Sequence, residues 1–494
     1  MKVARLPGLV VIVGLLAAGI LFDQQRETEA PASERPLFAA PAASPPDARS
    51  STWFCTASTA ADTGLADGLV TISNLTPSAV TAVISAFAGD SEPIVGAPDI
   101  ESVIEIPPLS THDIRLAELI EGSPVVSLAA EIDGGGVLVE KVVSGPTGVA
   151  RTPCATEGSM TWVIPNGTTR TGSRLQLFVF NPFPDDATAD IEFVTETGVR
   201  SPEDLVGLHI PARSSRLIEV GNVVAAAETV TTFLDVRQGL VLLEAVQSFD
   251  GSVDPIGLSV LSAASATASD WTFAGVSPQI GPARLVVVNP GETIVRADVE
   301  IFPAGAERFV EPFELTLRPG QQGVVDLTDE GRLADIDTFT VVVRSFDGPA
   351  IVAGLEQRPS VEAPDPLDAF REDVVAPSTG FAASAGQPLL AQRLYAAIEG
   401  IEGDQRSAIH LYNPAADSFV TATINVVSDG ASRAIDVEIG PQRTTTVPLI
   451  DIALGRTTIV VDSSGPIAGA REITGLSSRS WSTMTPEVAR NFFG

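Results

Sequence analysis

Four glutamates, Glu140, Glu244, Glu356 and Glu472, recur near the ends of four matching stretches of this 494-residue chain. Three have a basic residue close by: Lys141, Arg358 and Arg471. Glycoside hydrolysis and general acid–base catalysis use carboxylates, but as pairs converging on one bond. One acid per stretch reads instead as a structural surface pair or a contact at a junction. Two acidic groups, Asp185-Asp186 with Asp190 and Asp326 with Asp329, Glu330, Asp335 and Asp337, carry the oxygens that Ca²⁺ takes. Neither has the 12-residue calcium-loop pattern.

Other chemistry is sparse. His112, His209 and His410 are scattered and form no local cluster for a metal or a general base. Gly257-Leu258-Ser259-Val260-Leu261 lacks the second glycine of a nucleophile elbow. The only lysines, Lys2 and Lys141, follow no phosphate-binding glycine loop. No catalytic, cofactor-binding or metal-binding residue is therefore assigned, and no cofactor is expected. A net charge of −32 with scattered arginines argues against nucleic acid as a partner.

The residues that do carry a specific expectation are the only two cysteines. Cys55 opens the first stretch and Cys154 follows its last strand. Because the first and last strands of a sandwich lie close, a Cys55–Cys154 disulfide is expected; two independent buried thiols are the alternative. Two cysteines without nearby histidine make no four-ligand metal site. Asn74-Leu75-Thr76 and Asn166-Gly167-Thr168 fit a glycosylation sequon, the first being better explained by structure.

The elements that must position these residues recur four times. Each stretch opens on an aromatic, Trp53, Trp162, Trp271 or Tyr395, and then runs an apolar strand into an asparagine: Asn74, Asn181, Asn289 or Asn413. The asparagines are spaced by 107, 108 and 124 residues. An alternating segment follows each one, which predicts a half-buried strand. Next come a strand stopped by proline and a closing hairpin turned at Asp133-Gly134, Gln238-Gly239, Asp347-Gly348 or Ser464-Gly465. About seven short strands in some 100 residues predict an immunoglobulin-like sandwich. A four-bladed propeller is disfavoured because a blade needs only about 40 to 50 residues. Helix is expected only in short pieces, such as 113–120 and 367–371.

The fold class expected is all-β: four tandem immunoglobulin-like sandwiches after an N-terminal transmembrane helix and stalk. Residues 1–22 read as a signal anchor, because Lys2 and Arg5 precede an uncharged run from Leu6 to Phe22. A cleaved signal peptide is the alternative. Residues 23–51, rich in Pro, Ala, Ser and Glu, read as a disordered stalk. The sandwiches are placed at 52–153, 154–252, 270–358 and 393–494. Residues 252–269 and 359–392 read as linkers, the second as a hinge or a segment carrying a short helix or extra strand. This arrangement predicts a single-pass cell-membrane protein with its sandwiches on the extracellular side.

The anchor and stalk, the Trp53-Phe54-Cys55 opening, the Asn-Pro anchors and the V-x-x-E closes together resemble an actinobacterial family of uncharacterised envelope proteins. Abundant Ala and Val, and Arg over Lys, suit such a GC-rich source. The resemblance spans nearly the whole chain and implies no activity. The functional expectation is an extracytoplasmic scaffold, adhesion or binding protein without catalysis, its partners being the membrane through the N-terminal helix and an envelope protein or cell-wall glycan. The rival is a regulator or enzyme of envelope glycan metabolism with a site at an interdomain groove.

Overall fold

The computed structural model describes residues 40–59, 67–89, 100–120, 123, 125–254, 256–277, 281–305, 309–328, 330–333, 336–346, 351–358, 380–398, 406–428, 430–449, 456–474 and 479–488. These residues form strands with only short helical turns, so the chain is all-β. The alternation read from the sequence is what builds them. In Val295–Pro303, Val295, Ala297, Val299 and Ile301 point into the core while Arg296 is exposed and Asp298, Glu300 and Phe302 are half-buried. In Ala283–Val288 every residue but Arg284 is buried, as suits a strand covered on both faces.

Two sheets enclose each core. In the third segment one sheet runs Asp270–Val276, Phe339–Ser345, Val295–Pro303 and Phe313–Leu317. The other runs Gln322–Asp326, Ala283–Val288, Val352–Gln357 and Ala382–Ala385. The segments opening at Ser51, Thr161 and Ala391 lay their corresponding strands in the same order. In the fourth, one 18-residue strand, Thr457–Thr474, serves both sheets. Trp53, Trp162 and Trp271 each sit in their own segment's core. Tyr395 does not: Leu394, Ala396 and Ile398 face the fourth core, so Tyr395 and Ala397, one residue out of phase, pack into the first.

The segments close into a ring. Thr231 donates to Gln322 between the second and third at 2.7 Å, and Thr340 meets Thr444 between the third and fourth at 2.6 Å. The fourth returns to the first through Thr458, which donates to Ser73 at 2.8 Å, and through Arg456, 2.7 Å from Asp113. Four short strands meet in the middle: Gly148–Pro153, Gly257–Ser262, Ala382–Ala385 and Arg479–Thr483. Each pairs with the closing strand of its own segment and touches the next, in cyclic order. A void of only 20 Å³ is lined by all four, so the axis is packed and not a pore. Small residues make this approach possible. A Cβ on Gly257 would lie 2.5 Å from the Phe381 nitrogen.

These central strands correct several boundaries. Residues 252–269, expected as a linker, hold the strand Gly257–Ser262, while the extra strand that is one reading of 359–392 is present in its described part as Ala382–Ala385, beside the buried Phe381. Their Gly, Ala and Ser content has the composition of a linker, but here it serves close packing. Residues 40–51, assigned to the stalk, pack in place: Ala43 is fully buried and its amide donates to the Pro486 carbonyl at 2.8 Å. Residues 113–120 are a strand end followed by the four-residue helix Leu116–Leu119. The helix at 367–371 and the turn at Asp347-Gly348 lie outside the described residues. The expectation of a single-pass membrane protein is also corrected. Among the described residues no helix is long and apolar enough to cross a membrane, and the run Leu6 to Phe22 lies outside them.

Candidate functional site

The four anchor asparagines occupy equivalent cages. Each is fully buried. Its side-chain amide donates to the carbonyl four or five residues on, at Ser78, Asp185, Thr293 and Ser418, over 2.7–2.9 Å. The same amide reaches the end of the proline-stopped strand, at Ile106, Ile210, Leu317 and Ile439. Its oxygen accepts from the amide two residues on. One side chain thus satisfies buried backbone groups of the turn and two strands, a structural task. Asn166 of the second sequon is also buried, with its amide 3.5 Å from the Leu355 carbonyl, so it is no surface acceptor for glycan.

The four glutamates lie at the junctions. Lys141 pairs with Glu244 of the second segment, not with its sequence neighbour Glu140. Arg471 of the fourth segment pairs with Glu140 of the first at 2.8 Å, not with Glu472. Neighbours on a strand face opposite sides, so each cation is presented across the junction. Burial pushes the Glu244 carboxyl up, against the pull of Lys141. Glu356 lies 2.9 Å from Arg358 and 3.4 Å from Arg284, yet burial outweighs these cations and raises it to about 7. Glu472 and Thr446 flank the His410 ring, each at 3.0 Å. These pairs are enclosed in protein and face no substrate space, and buried ion pairs of this kind specify geometry more than they add stability.

The other expected residues disperse. His112 lies on Ser110–Arg115, and His209 meets Asp186 at 3.1 Å on the surface. Asp190 is taken by Arg237 and the Gly207 amide, and Asp326 by the Thr328 amide. Among the described residues no three His, Cys, Asp or Glu side chains converge as a metal site. Cys55 and Cys154 form a disulfide, both buried beside the first core.

One junction opens. Between the third and fourth segments lies a cleft of about 790 Å³. Its floor is a sheet face, where Asp270, Arg344, Thr272, Val342, Glu300 and Phe302 stand in register. Arg344 sits between Asp270 at 2.8 Å and Glu300 at 3.2 Å. The opposite wall carries Tyr412, Pro414, Pro441 and Arg443, and Arg443 donates to the Pro303 carbonyl. The Tyr412 ring rests against Phe302 with centroids 5.4 Å apart. Burial, and then the Glu300 charge, push its hydroxyl up, so it stays a neutral donor. Phe309 stands at the rim, 84% exposed. This site was not legible beforehand, because its residues come from distant strands and their acids look like ordinary surface charges.

Comparison with known proteins adds little to this geometry. Residues 141–359, under half of the chain, match a family of unknown function (DUF5719). The matched span contains the second segment and most of the third. No curated protein matches. Among solved structures, Thermotoga maritima 1070 is 18% identical with a TM-score of 0.18, over 22% of this chain and 94% of that one. The α-L-rhamnosidase of Streptomyces avermitilis complexed with L-rhamnose is 11% identical, TM-score 0.12, over 83% and 55%. A tetra-tandem repeat in the extending region of a large adhesion protein is 9% identical, TM-score 0.10, over 89% and 100%. At these scores none of them supports a functional argument.

Proposed function

We propose that this protein is a non-catalytic binding scaffold, built from four copies of an immunoglobulin-like sandwich and presenting a ligand cleft at one junction. The cleft carries the reading: it is a large concave surface with accessible charged groups, whereas the pairs Lys141–Glu244 and Arg471–Glu140 at other junctions are buried inside protein. The shared strand order and the four asparagine cages support common descent of the segments. The Cys55–Cys154 disulfide favours an oxidising compartment, where envelope proteins or glycans are the available partners. The rival, an enzyme of glycan metabolism, would have to use Asp270 and Glu300, but Arg344 engages both carboxylates. To test this, full-length protein is incubated with arrayed oligosaccharides and peptides, and the bound and released species are identified by mass spectrometry. Retention of an unaltered ligand is the expected result. A cleavage product that disappears in Glu300→Gln, or no retained ligand at all, would overturn the proposal.

A further inference from the structure

The cleft differs from the first–second and fourth–first junctions in how it is filled. Voids at the first–second and fourth–first junctions measure 30 and 10 Å³, against about 790 Å³ here. The third–fourth junction uses strands in the same order, so its openness comes from its own side chains and from the wall at Phe309. The volume falls in the range of small-ligand sites, roughly 300–1,000 Å³.

The lining narrows the ligand class. Two carboxylates, Asp270 and Glu300, and two guanidinium groups, Arg344 and Arg443, give the cleft no net charge, on a protein whose net charge is −32. An anion would be repelled by the surrounding surface, and a cation would have to displace Arg344 from both acids. An uncharged ligand meets neither obstacle. The floor is a sheet face, and on its outer strand Thr272 already pairs with Gln387, so an extended peptide in the cleft meets side chains and not an open ladder edge. Recognition must then come from side chains. Each carboxylate keeps lone pairs beyond those used by Arg344, and can accept hydroxyl protons. Tyr412 lines the cleft wall, its ring resting against Phe302, so its hydroxyl is placed to meet a ligand. As a neutral phenol it can donate to a ligand oxygen and accept from a ligand hydroxyl. Phe309 offers an open ring face at the rim, suited to the C–H face of a sugar ring.

We propose that the cleft binds an uncharged oligosaccharide, with Phe309 as the stacking platform and Asp270, Glu300, Arg344 and Tyr412 as partners for its hydroxyl groups. This rests on the binding-scaffold reading and names its ligand class. The test uses the full chain on an array of neutral gluco-, manno-, galacto- and arabino-oligosaccharides, beside uronic-acid oligosaccharides and proline-rich peptides. Hits are then titrated by calorimetry. At least one neutral oligosaccharide is expected to bind. Phe309→Ala, at an exposed position that cannot disturb the core, should weaken it about tenfold. Tyr412→Phe, which keeps the ring and removes only the hydroxyl, should weaken it roughly three- to tenfold. The inference is overturned if no neutral oligosaccharide binds at millimolar concentration. It is also overturned if neither variant changes the affinity, or if the cleft-dependent ligand is a uronate or a proline-rich peptide. The two proposals fail differently. A peptide ligand leaves the non-catalytic scaffold standing, whereas a neutral sugar that is cleaved confirms the ligand class and overturns the scaffold.

Discussion

Two junctions of one ring use the same chemical groups to opposite ends. Between the fourth and first segments, Arg471 and Glu140 are 1% and 2% exposed and meet at 2.8 Å with nothing but protein around them. Between the third and fourth, Arg344 and Asp270 also meet at 2.8 Å, but are 48% and 42% exposed on the floor of a cleft. The first pair cannot be reached by any ligand and is committed to holding two segments in register. The second retains hydration and unused hydrogen-bonding capacity, so it is available for recognition. Burial, more than residue type, separates architecture from site in this molecule.

The sharpest way to break that distinction is at Arg471. Its guanidinium also donates to the carbonyls of Arg151 and Ala397, and to the Ser482 hydroxyl at 3.2 Å. Arg471→Ala leaves Glu140 buried with only the Arg151 cation and the Ala397 amide beside it, and should cost about 3–5 kcal/mol in urea unfolding. Pairing it with Glu140→Gln should recover part of that loss. A cost below about 1 kcal/mol for the single variant would show that the junction is not closed as described.

The anchor asparagines come next. Asn289→Ala removes donors from the Thr293 and Leu317 carbonyls and an acceptor from the Gly291 amide, all inside the third segment. Roughly 2–3 kcal/mol should be lost. The substitution should not alter ligand binding in the cleft, because the cage and the cleft floor lie on different strands.

How far the sequence foretold this depends on the range of the interaction. The asparagines were legible because each cage is local: the partner carbonyls lie four or five residues on and at the next proline-stopped strand. Alternation likewise marked Val295–Pro303. Gly257–Ser262 was hidden, and Ala382–Ala385 was foreseen only as one reading of its segment, since both need small residues to crowd one axis and small residues also compose linkers. Tyr395 marked an opening, but an aromatic opening does not say which of two cores it enters, and a one-residue change of phase sends it to the first. The junction pairs were half legible. Glutamate positions recur in sequence, but pairing Lys141 with Glu244 requires knowing that the segments close a ring.

Glu356 sharpens the comparison through pH. It is fully enclosed with Arg284, Arg358, Asp254 and Asp326 around it, and burial raises its carboxyl to about 7. An unfolded glutamate titrates near 4.3. Between these values the folded chain binds the extra proton, so stability is favoured by acid and declines as pH rises towards 7 and beyond. The stability of the wild type relative to Glu356→Gln should fall by roughly 1–3 kcal/mol from pH 4.5 to pH 8. A flat difference would mean that Glu356 stays ionised throughout and that its arginines outweigh burial.

The smallest effect on stability should come from the cleft itself, and its smallness is the informative part. Arg344 makes two ion pairs, more than many arginines of the ring, yet water already solvates half of its side chain. Exposed pairs are worth about 0–1 kcal/mol, because the charges lose little solvation on meeting and little on parting. Arg344→Ala should therefore lower the unfolding free energy in urea by less than about 1 kcal/mol, where Arg471→Ala lowers it by several. Binding should respond in the reverse order. Loss of Arg344 leaves Asp270 and Glu300 uncompensated, so the cleft turns anionic and its affinity for an uncharged ligand drops while affinity for cations rises. If Arg344→Ala destabilises the fold as severely as Arg471→Ala, the cleft floor is structural, and the division between closed and open junctions is lost.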